Sequence, residues 1–293
     1  MIHEKFVLRS REGEKLRADL RYVSNGRRKP IIIFIHGFKG FKDWGPFPNI
    51  CDQIAARGFV SVAFNFSHNG VGEDLLTFSE LDRFAENTFS RELEELSDVI
   101  DQLISLDNIP IAAEEVNSDA IGLHGHSRGA SIAILAGVRQ RLVRAVAAWA
   151  PVSHFDRYTA RQRQEWRSQG YAEIQNARTG QSMRLNLSLL EDIEVNKDKF
   201  NIPASAKKLT SQEKGLLVVV GSEDLTAKPE ESESIYGEAS KRFAELDIIQ
   251  NTGHTFGAEH PFKGSTSALE KAIDLTADFF LRYLVNHPIP FPE

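Results

Sequence analysis

Two kinds of hydrophobic pattern alternate along the chain. Residues 89–106 and 269–284 place apolar side chains three or four positions apart, which is typical of amphipathic helices. Between such segments lie short, largely apolar runs of strand length, at residues 31–35, 60–66, 120–124, 143–149, 216–220 and 246–249. A continuous apolar run suits a strand that is buried on both faces of a parallel sheet. Strands that alternate with helices therefore predict an α/β fold with a mostly parallel, doubly wound sheet and helices on both faces.

Two segments depart from this alternation. Residues 6–8 and 16–23 are separated by a turn-like stretch and predict an antiparallel hairpin before the first parallel strand. Residues 153–209 contain no apolar run of the buried-strand type, but two helix-compatible pieces and a hairpin-like pair between them. A structureless loop of that length is uncommon in a compact domain. We therefore expect residues 153–209 to form a subdomain inserted into a larger domain made of residues 1–152 and 210–293.

Composition and charge exclude several classes of function for this chain. The chain has 293 residues, 41% of them hydrophobic, so it can form a substantial core. Its formal net charge is −6, and it lacks the basic field that holds nucleic acid. The one cysteine, Cys51, permits neither an intrachain disulfide nor a thiolate metal cage. The sequence shows no apolar run of about 18 residues that could span a membrane and no secretory signal, so a cytoplasmic protein is expected.

One pentapeptide carries recognisable chemistry. Residues 125–129 read Gly-His-Ser-Arg-Gly, a G-x-S-x-G motif between the predicted strand 120–124 and a small-residue helix at 130–138. A nucleophile elbow requires this strand–turn–helix setting, because its serine sits on a sharp turn and its glycines let strand and helix approach. The structural alternative is a serine that caps a helix in a glycine turn. Ser127 is therefore the candidate nucleophile.

On this motif and its setting, the sequence resembles the α/β-hydrolase superfamily over nearly its whole length. The resemblance implies a catalytic triad in the order nucleophile, acid and histidine, with the acid after a late strand and the histidine after the last strand. Asp224 follows the strand predicted at 216–220. His254 follows the strand predicted at 246–249. The implied catalytic residues are Ser127, Asp224 and His254.

The chemistry demands these residue types independently of the superfamily. A serine hydroxyl needs an imidazole to take its proton, and the imidazole needs a carboxylate to hold its tautomer. Two neighbouring residues compete for these roles, since Glu223 precedes the proposed acid and His260 follows the proposed base by six positions. The positions after the strands favour Asp224 and His254.

The resemblance also implies an oxyanion hole made of two backbone N–H groups. One belongs to the residue after the nucleophile, here Arg128, and the other to the residue after His-Gly at the end of the first parallel strand, here Phe38. This role constrains the backbones of the two residues more than their side chains. Candidate substrate-binding residues are Trp44, near the oxyanion loop, and Trp166 and Tyr171 in the insert. Packing within the loop or the insert is the alternative for each.

The chain is most similar to dienelactone-hydrolase-related carboxylesterases, which include cinnamoyl and feruloyl esterases, in the position of its insert, its His-Gly-Phe segment and its Gly-His-Ser-x-Gly motif. This resemblance implies that residues 153–209 are an inserted cap subdomain and that residues 1–152 and 210–293 form the catalytic domain. The resemblance implies a serine hydrolase that cleaves a small-molecule ester through an acyl-enzyme, without a cofactor or a metal. A peptidase of the prolyl-oligopeptidase type and a thioesterase are the alternatives among hydrolases. A non-catalytic binding protein on the same fold is the alternative from another class. The sequence is also compatible with a homodimer.

Overall fold

A computed structural model describes residues 1–176 and 179–286, and its central feature is an eight-stranded sheet. The strands are β1 (Ile2–Arg9), β2 (Lys15–Tyr22), β3 (Lys29–Ile35), β4 (Val60–Phe64), β5 (Val116–His126), β6 (Val143–Trp149), β7 (Tyr171–Gln175), β8 (Ser182–Asn186), β9 (Gly215–Gly221) and β10 (Ala244–Ile249). The order in the large sheet is β1-β2-β4-β3-β5-β6-β9-β10. In this order, all neighbouring strands from β4 onwards pair parallel. Strand β2 pairs antiparallel with both β1 and β4. Strands β7 and β8 form a separate antiparallel hairpin.

Helices cover both faces of this sheet. They are α1 (Phe47–Ala56), α2 (Leu81–Ala85), α3 (Phe89–Ser105), α4 (Arg128–Arg139), α5 (Ala160–Gln169), α6 (Leu187–Val195), α7 (Ile202–Ser211), α8 (Pro229–Glu238) and α9 (Ser267–Phe280). The sequence explains the bounds of several. The side chain of Thr88 caps α3 by accepting a hydrogen bond from the backbone N–H of Arg91, and a proline lies in the first turn of α1, where its missing N–H costs nothing.

The central strands divide their side chains between two cores. Along β3, Ile31, Ile33 and Ile35 pack into the core beneath α3 and α4, and Ile32 and Phe34 pack into the core beneath α1 and α9. Successive strand residues point to opposite faces, so a strand buried on both faces must be apolar throughout. The predicted mostly parallel α/β fold with helices on both faces is confirmed.

The segment 153–209 contributes no strand to the large sheet in the part that the structure describes. It holds α5, the β7–β8 hairpin, α6 and most of α7. Strand β8 packs against α2, α6 packs against α3, and α7 packs against α4 and α8. A proline after the second helix-compatible piece, Pro203, suggests from the sequence that helical structure ends there, but Pro203 lies in the first turn of α7 and begins a helix.

Across residues 1–176 and 179–286, no helix combines the length and the hydrophobicity that a membrane crossing requires. The sequence 288–292, in which prolines alternate with apolar residues and predict an extended tail, lies outside the described residues.

Candidate active site

Ser127 lies on a sharp turn between β5 and α4. Its backbone angles are φ 57° and ψ −125°, a conformation that non-glycine residues rarely adopt. Two glycines make the turn sterically feasible. A Cβ atom at Gly125 would lie 2.4 Å from the carbonyl oxygen of Gly129, and one at Gly129 would lie 2.3 Å from that of Ile35. The chain therefore makes the strained strand–turn–helix that the pentapeptide predicts.

Two loops at the carboxyl edge of the sheet bring an acid and an imidazole together. Asp224 follows β9 and His254 follows β10, and His254 Nδ1 lies 2.7 Å from Asp224 Oδ2. The Oδ1 atom of Asp224 accepts hydrogen bonds from the backbone N–H groups of Thr226 and Ala227, at 2.8 and 2.9 Å. Burial acts to raise the pKa of Asp224, but the hydrogen bond and charge of His254 and the two backbone donors hold that pKa below its usual value. The carboxylate is therefore ionised at neutral pH and faces the imidazole.

The competing acid and base point elsewhere. Glu223 is exposed, whereas the neighbouring Asp224 is only 1% exposed. His260 Nδ1 accepts a hydrogen bond from the backbone N–H of Gly45 at 2.8 Å, and its ring stacks on Trp44 with centroids 5.8 Å apart. His260 thus braces the loop after the first parallel strand.

One cavity of about 260 Å³ joins the serine to the imidazole, because both Ser127 and His254 line it. The other lining residues are Gly37, Phe38, Lys39, Gly40, Trp44, Phe47, His126, Asn176 and Thr255. Three aromatic side chains therefore form much of the wall, and Asp224 lies behind the imidazole. Among the residues that the structure describes, no group of three His, Cys, Asp or Glu side chains could hold a metal ion.

The loop after β3 approaches the elbow closely. A Cβ atom at Gly37 would lie 2.9 Å from the carbonyl oxygen of His126, 3.0 Å from Ser127 Cβ and 3.6 Å from the backbone nitrogen of Arg128. Only glycine allows this approach. Phe38 follows at the cavity wall, and Arg128 begins α4. Both predicted oxyanion residues thus lie on segments that meet beside Ser127.

Three histidines near the site are buried and uncharged at neutral pH. Burial lowers the pKa of His36 to about 4, and that of His124 and His126 to about 3. His126 Nε2 lies 2.9 Å from the carbonyl oxygen of His254, and the two rings are 4.8 Å apart. His126 therefore supports the loop that carries His254.

The three candidate substrate-binding residues have different surroundings. Trp44 lines the cavity. Trp166 is 1% exposed and packs edge-to-face against Tyr158, within the core of the insert. The half-buried ring of Tyr171 lies under the guanidinium of Arg184, 4.3 Å from its centroid. Neither Trp166 nor Tyr171 is among the described residues that line the cavity.

The insert reaches the cavity through a residue that the sequence analysis missed. Asn176, the residue directly after β7, is buried and lines the cavity. Next to it, the carbonyl oxygen of Gln175 accepts a hydrogen bond from Lys39 Nζ at 3.2 Å, which ties the hairpin to the loop after β3. No local sequence signal could have identified Asn176, because its position depends on how the hairpin packs on the sheet.

Comparison with solved structures shows the same fold in proteins of distant sequence. A putative hydrolase from Agrobacterium vitis S4 has a TM-score of 0.71 at 15% identity, covering 95% of this chain and 98% of that chain. Est1E from Butyrivibrio proteoclasticus has a TM-score of 0.65 at 18% identity, with 95% and 98% covered. The α/β hydrolase GrgF from Penicillium sp. sh18 has a TM-score of 0.69 at 18% identity, with 97% and 99% covered. A search of curated protein sequences finds no match.

The family comparison covers most of the chain. Residues 54–287 match the prolyl oligopeptidase family, and this span includes the elbow, the acid and the imidazole. The resemblance to the α/β-hydrolase superfamily is thus confirmed, and the matching family is the one whose peptidases stood as an alternative in the sequence analysis. The chain belongs to the prolyl oligopeptidase family and is a serine hydrolase with the α/β-hydrolase fold.

Proposed function

We propose that this protein hydrolyses small-molecule carboxylic esters through an acyl-enzyme, with Ser127 as nucleophile, His254 as general base and Asp224 as its orienting carboxylate. The observation that carries the proposal is a single cavity lined by Ser127 and His254, with Asp224 hydrogen-bonded to the far side of the imidazole. Nucleophile, base and orienting acid are the three parts that acyl transfer through a serine requires.

The reaction proceeds in two halves. Ser127 Oγ attacks the ester carbonyl carbon while His254 Nε2 takes the hydroxyl proton, and Asp224 holds the proton on Nδ1 and stabilises the imidazolium. The tetrahedral intermediate then expels the alcohol, whose oxygen receives the proton from Nε2. In the second half, a water molecule loses a proton to His254 Nε2 and attacks the acyl-enzyme. Collapse of that intermediate releases the carboxylic acid and returns the proton to Ser127.

The negative charge of both intermediates falls on the former carbonyl oxygen. The backbone N–H groups of Phe38 and Arg128 are the donors that we assign to it, and two features support them. The approach of Gly37 to the elbow brings their two segments together. Arg128 also stands at the N-terminus of α4, where the helix dipole favours negative charge.

The cavity wall suits a substrate with an apolar acyl or alcohol group. Phe38, Trp44 and Phe47 offer apolar surface to an acyl or alcohol group, and the cavity volume of about 260 Å³ suits a small molecule. Solved structures of the same fold include the esterase domain of a Rhodothermus marinus protein and Est1E with ferulic acid bound. The family match favours a second candidate, hydrolysis of aminoacyl amides or peptides, which the same residues could perform.

We also propose that residues 153–209 act as a cap over the cavity. Asn176 supports this role because it comes from the insert and lines the cavity beside Ser127. The hydrogen bond from Lys39 to Gln175 holds the hairpin in that position.

A substrate panel tests the proposed reaction. It contains p-nitrophenyl esters of increasing chain length, feruloyl and cinnamoyl esters, a thioester and aminoacyl anilides. The wild type is expected to have its highest kcat/KM on an ester, and Ser127→Ala to lose at least about 10³-fold in kcat while it keeps its fold. Ser168→Ala is the matched control, since it removes an exposed hydroxyl on α5. A folded Ser127→Ala that retains more than about a tenth of the turnover would overturn the mechanism, and a preference for anilides would favour the peptidase.

A further inference from the structure

The side chains of the two proposed oxyanion residues touch each other. The guanidinium of Arg128 lies over the ring of Phe38, 4.6 Å from its centroid, and 5.4 Å from the ring centroid of Phe89 on α3. Phe38 in turn stacks on Phe84 of α2, with centroids 5.6 Å apart. The expected role in the oxyanion hole constrains the backbones of these two residues more than their side chains. The structure instead links them by direct contact.

A buried carboxylate fixes the guanidinium in this position. Arg128 Nη2 donates a hydrogen bond of 2.5 Å to Glu92 Oε1, and the two side chains are only 11% and 2% exposed. The same oxygen accepts a hydrogen bond from Asn87 Nδ2 at 2.8 Å. Burial raises the pKa of Glu92, and the positive charge of Arg128 opposes that rise. Separating the two partners of a buried ion pair leaves each charge uncompensated. The guanidinium of Arg128 is therefore strongly held beside the carboxylate of Glu92.

Several contacts hold the loop that carries Phe38, among them the hydrogen bond from Lys39 to Gln175. It contains Gly37 and Gly40, and Lys39 adopts a positive φ of 53°. The ring of Phe38 is one of its anchors to the body of the protein, through Phe84 and Arg128. A contact that fixes the side chain of Arg128 therefore also holds this loop in place relative to the elbow.

We propose that Glu92 and the side chain of Arg128 form a brace that holds the backbone N–H groups of Phe38 and Arg128 in register for the oxyanion. Glu92 is thus a positioning residue that contacts no substrate. The inference rests on the proposed function, because it presumes an oxyanion between these two backbone groups. Errors of about 1 Å in such a site cost on the order of 10²-fold in rate, so a brace of this kind has a measurable effect.

A second ion pair on the same helix serves as the control that separates positioning from stability. Asp98, also on α3, accepts hydrogen bonds from Nε and Nη2 of Arg11 at 2.9 and 2.8 Å. Asp98→Asn therefore removes a carboxylate from the same helix and weakens an ion pair without touching Phe38 or Arg128, although the side chain of Arg11 is 56% exposed and that of Arg128 only 11%. A purely structural pair would alter the free energy of unfolding and leave the kinetics of the folded fraction unchanged.

The test measures kcat, KM and the affinity of a trifluoromethyl ketone, which adds to the serine and places an oxyanion in the hole. Active sites are titrated with a phosphonate so that only folded enzyme is counted. Glu92→Gln and Arg128→Met are expected to lower kcat/KM by about 10- to 100-fold and to weaken ketone binding by the same factor, with KM changed less than about three-fold. Asp98→Asn is expected to keep wild-type values for all three.

Wild-type kinetics and ketone affinity in titrated Glu92→Gln would overturn the brace, as would an equal loss in Asp98→Asn. If Glu92→Gln does not fold, Arg128→Lys serves the same purpose, because it keeps the charge and removes the planar contact with Phe38. A loss of at least about five-fold in both kcat/KM and ketone affinity is then expected, and unchanged values would overturn the proposal. A wild type that neither hydrolyses esters nor binds the ketone would overturn the proposed function and the brace with it.

Discussion

Replacing Asp224 by asparagine should disable the imidazole while the fold remains. The Oδ1 atom of Asp224 accepts hydrogen bonds from the backbone N–H groups of Thr226 and Ala227, and Oδ2 lies 2.7 Å from His254 Nδ1. Asparagine has one acceptor oxygen, and the two backbone donors keep that oxygen on their side. The amide NH₂ then faces Nδ1, which must become an acceptor, so the ring proton moves to Nε2. In that tautomer His254 cannot take the proton of Ser127.

The size of the effect follows from this tautomer change together with loss of the negative charge. In serine proteases with the same arrangement, aspartate to asparagine lowers kcat by about 10⁴-fold, which corresponds to about 5.4 kcal/mol in the activation barrier. We expect a loss of about 10³- to 10⁴-fold here. Glu223→Gln is the matched control, because it neutralises the adjacent carboxylate, whose side chain is exposed. Its expected cost is under about ten-fold.

Both variants are assayed for kcat on one activated ester, after circular dichroism and a thermal melt have shown that each is folded. If Asp224 is the residue that orients His254, the large loss occurs in Asp224→Asn and the small one in Glu223→Gln. The opposite order would transfer the role of the acid to Glu223 and refute the hydrogen-bond argument.

Three further perturbations test the oxyanion loop, the cavity wall and the buried His124. Gly37→Ala should lower kcat/KM by about 100-fold, and stability by about 1–3 kcal/mol in urea unfolding, because the new Cβ would lie 2.9 Å from the carbonyl oxygen of His126. Trp44→Ala should change the ratio of kcat/KM between bulky and short esters more than about three-fold, whereas Trp166→Ala should cost about 3–5 kcal/mol and leave that ratio within about two-fold. Burial lowers the pKa of His124 from 6.5 to about 3, so as pH falls below 6.5 the unfolded chain gains a proton that the folded chain does not, and stability falls. In urea unfolding between pH 7 and pH 5, His124→Leu should therefore flatten the pH dependence by up to about 1.4 kcal/mol per pH unit.

Each of these has a contrary outcome. Wild-type kinetics in Gly37→Ala would contradict the close approach of the loop to the elbow. An ester ratio that responds to Trp166 and not to Trp44 would contradict the assignment of the cavity wall. A pH dependence identical with and without His124 would contradict a neutral imidazole in the core.

The sheet was predictable from the sequence because a strand that is buried on both faces accepts only apolar residues along its length. Every residue of β3 from Ile31 to Ile35 enters one core or the other, so the run had to be apolar throughout. The elbow was predictable for a related reason. A serine at positive φ between two closely approaching backbone segments needs glycine at both flanking positions, Gly125 and Gly129.

The insert was less predictable because its contacts are set by long-range packing. A large aromatic residue suits a binding surface and a small core equally well, and Trp166 packs in the core of the insert while Asn176 lines the cavity. Proline carries a similar ambiguity, since it ends one helix and begins another, and Pro203 begins α7. The ion pair between Glu92 and Arg128 could not be predicted from the sequence either, because residues far apart in the chain meet only in the folded protein.

The proposed mechanism depends above all on Ser127 as the nucleophile and on His254 as the base that activates it. Its most direct test is incubation of the folded protein with a p-nitrophenyl phosphonate, followed by measurement of the p-nitrophenol released and peptide mass mapping of the adduct. We expect one equivalent of p-nitrophenol and one adduct per chain, on Ser127, and at least about 10³-fold slower labelling of His254→Ala. Stoichiometric labelling of a different residue, or labelling of His254→Ala at the wild-type rate, would contradict it.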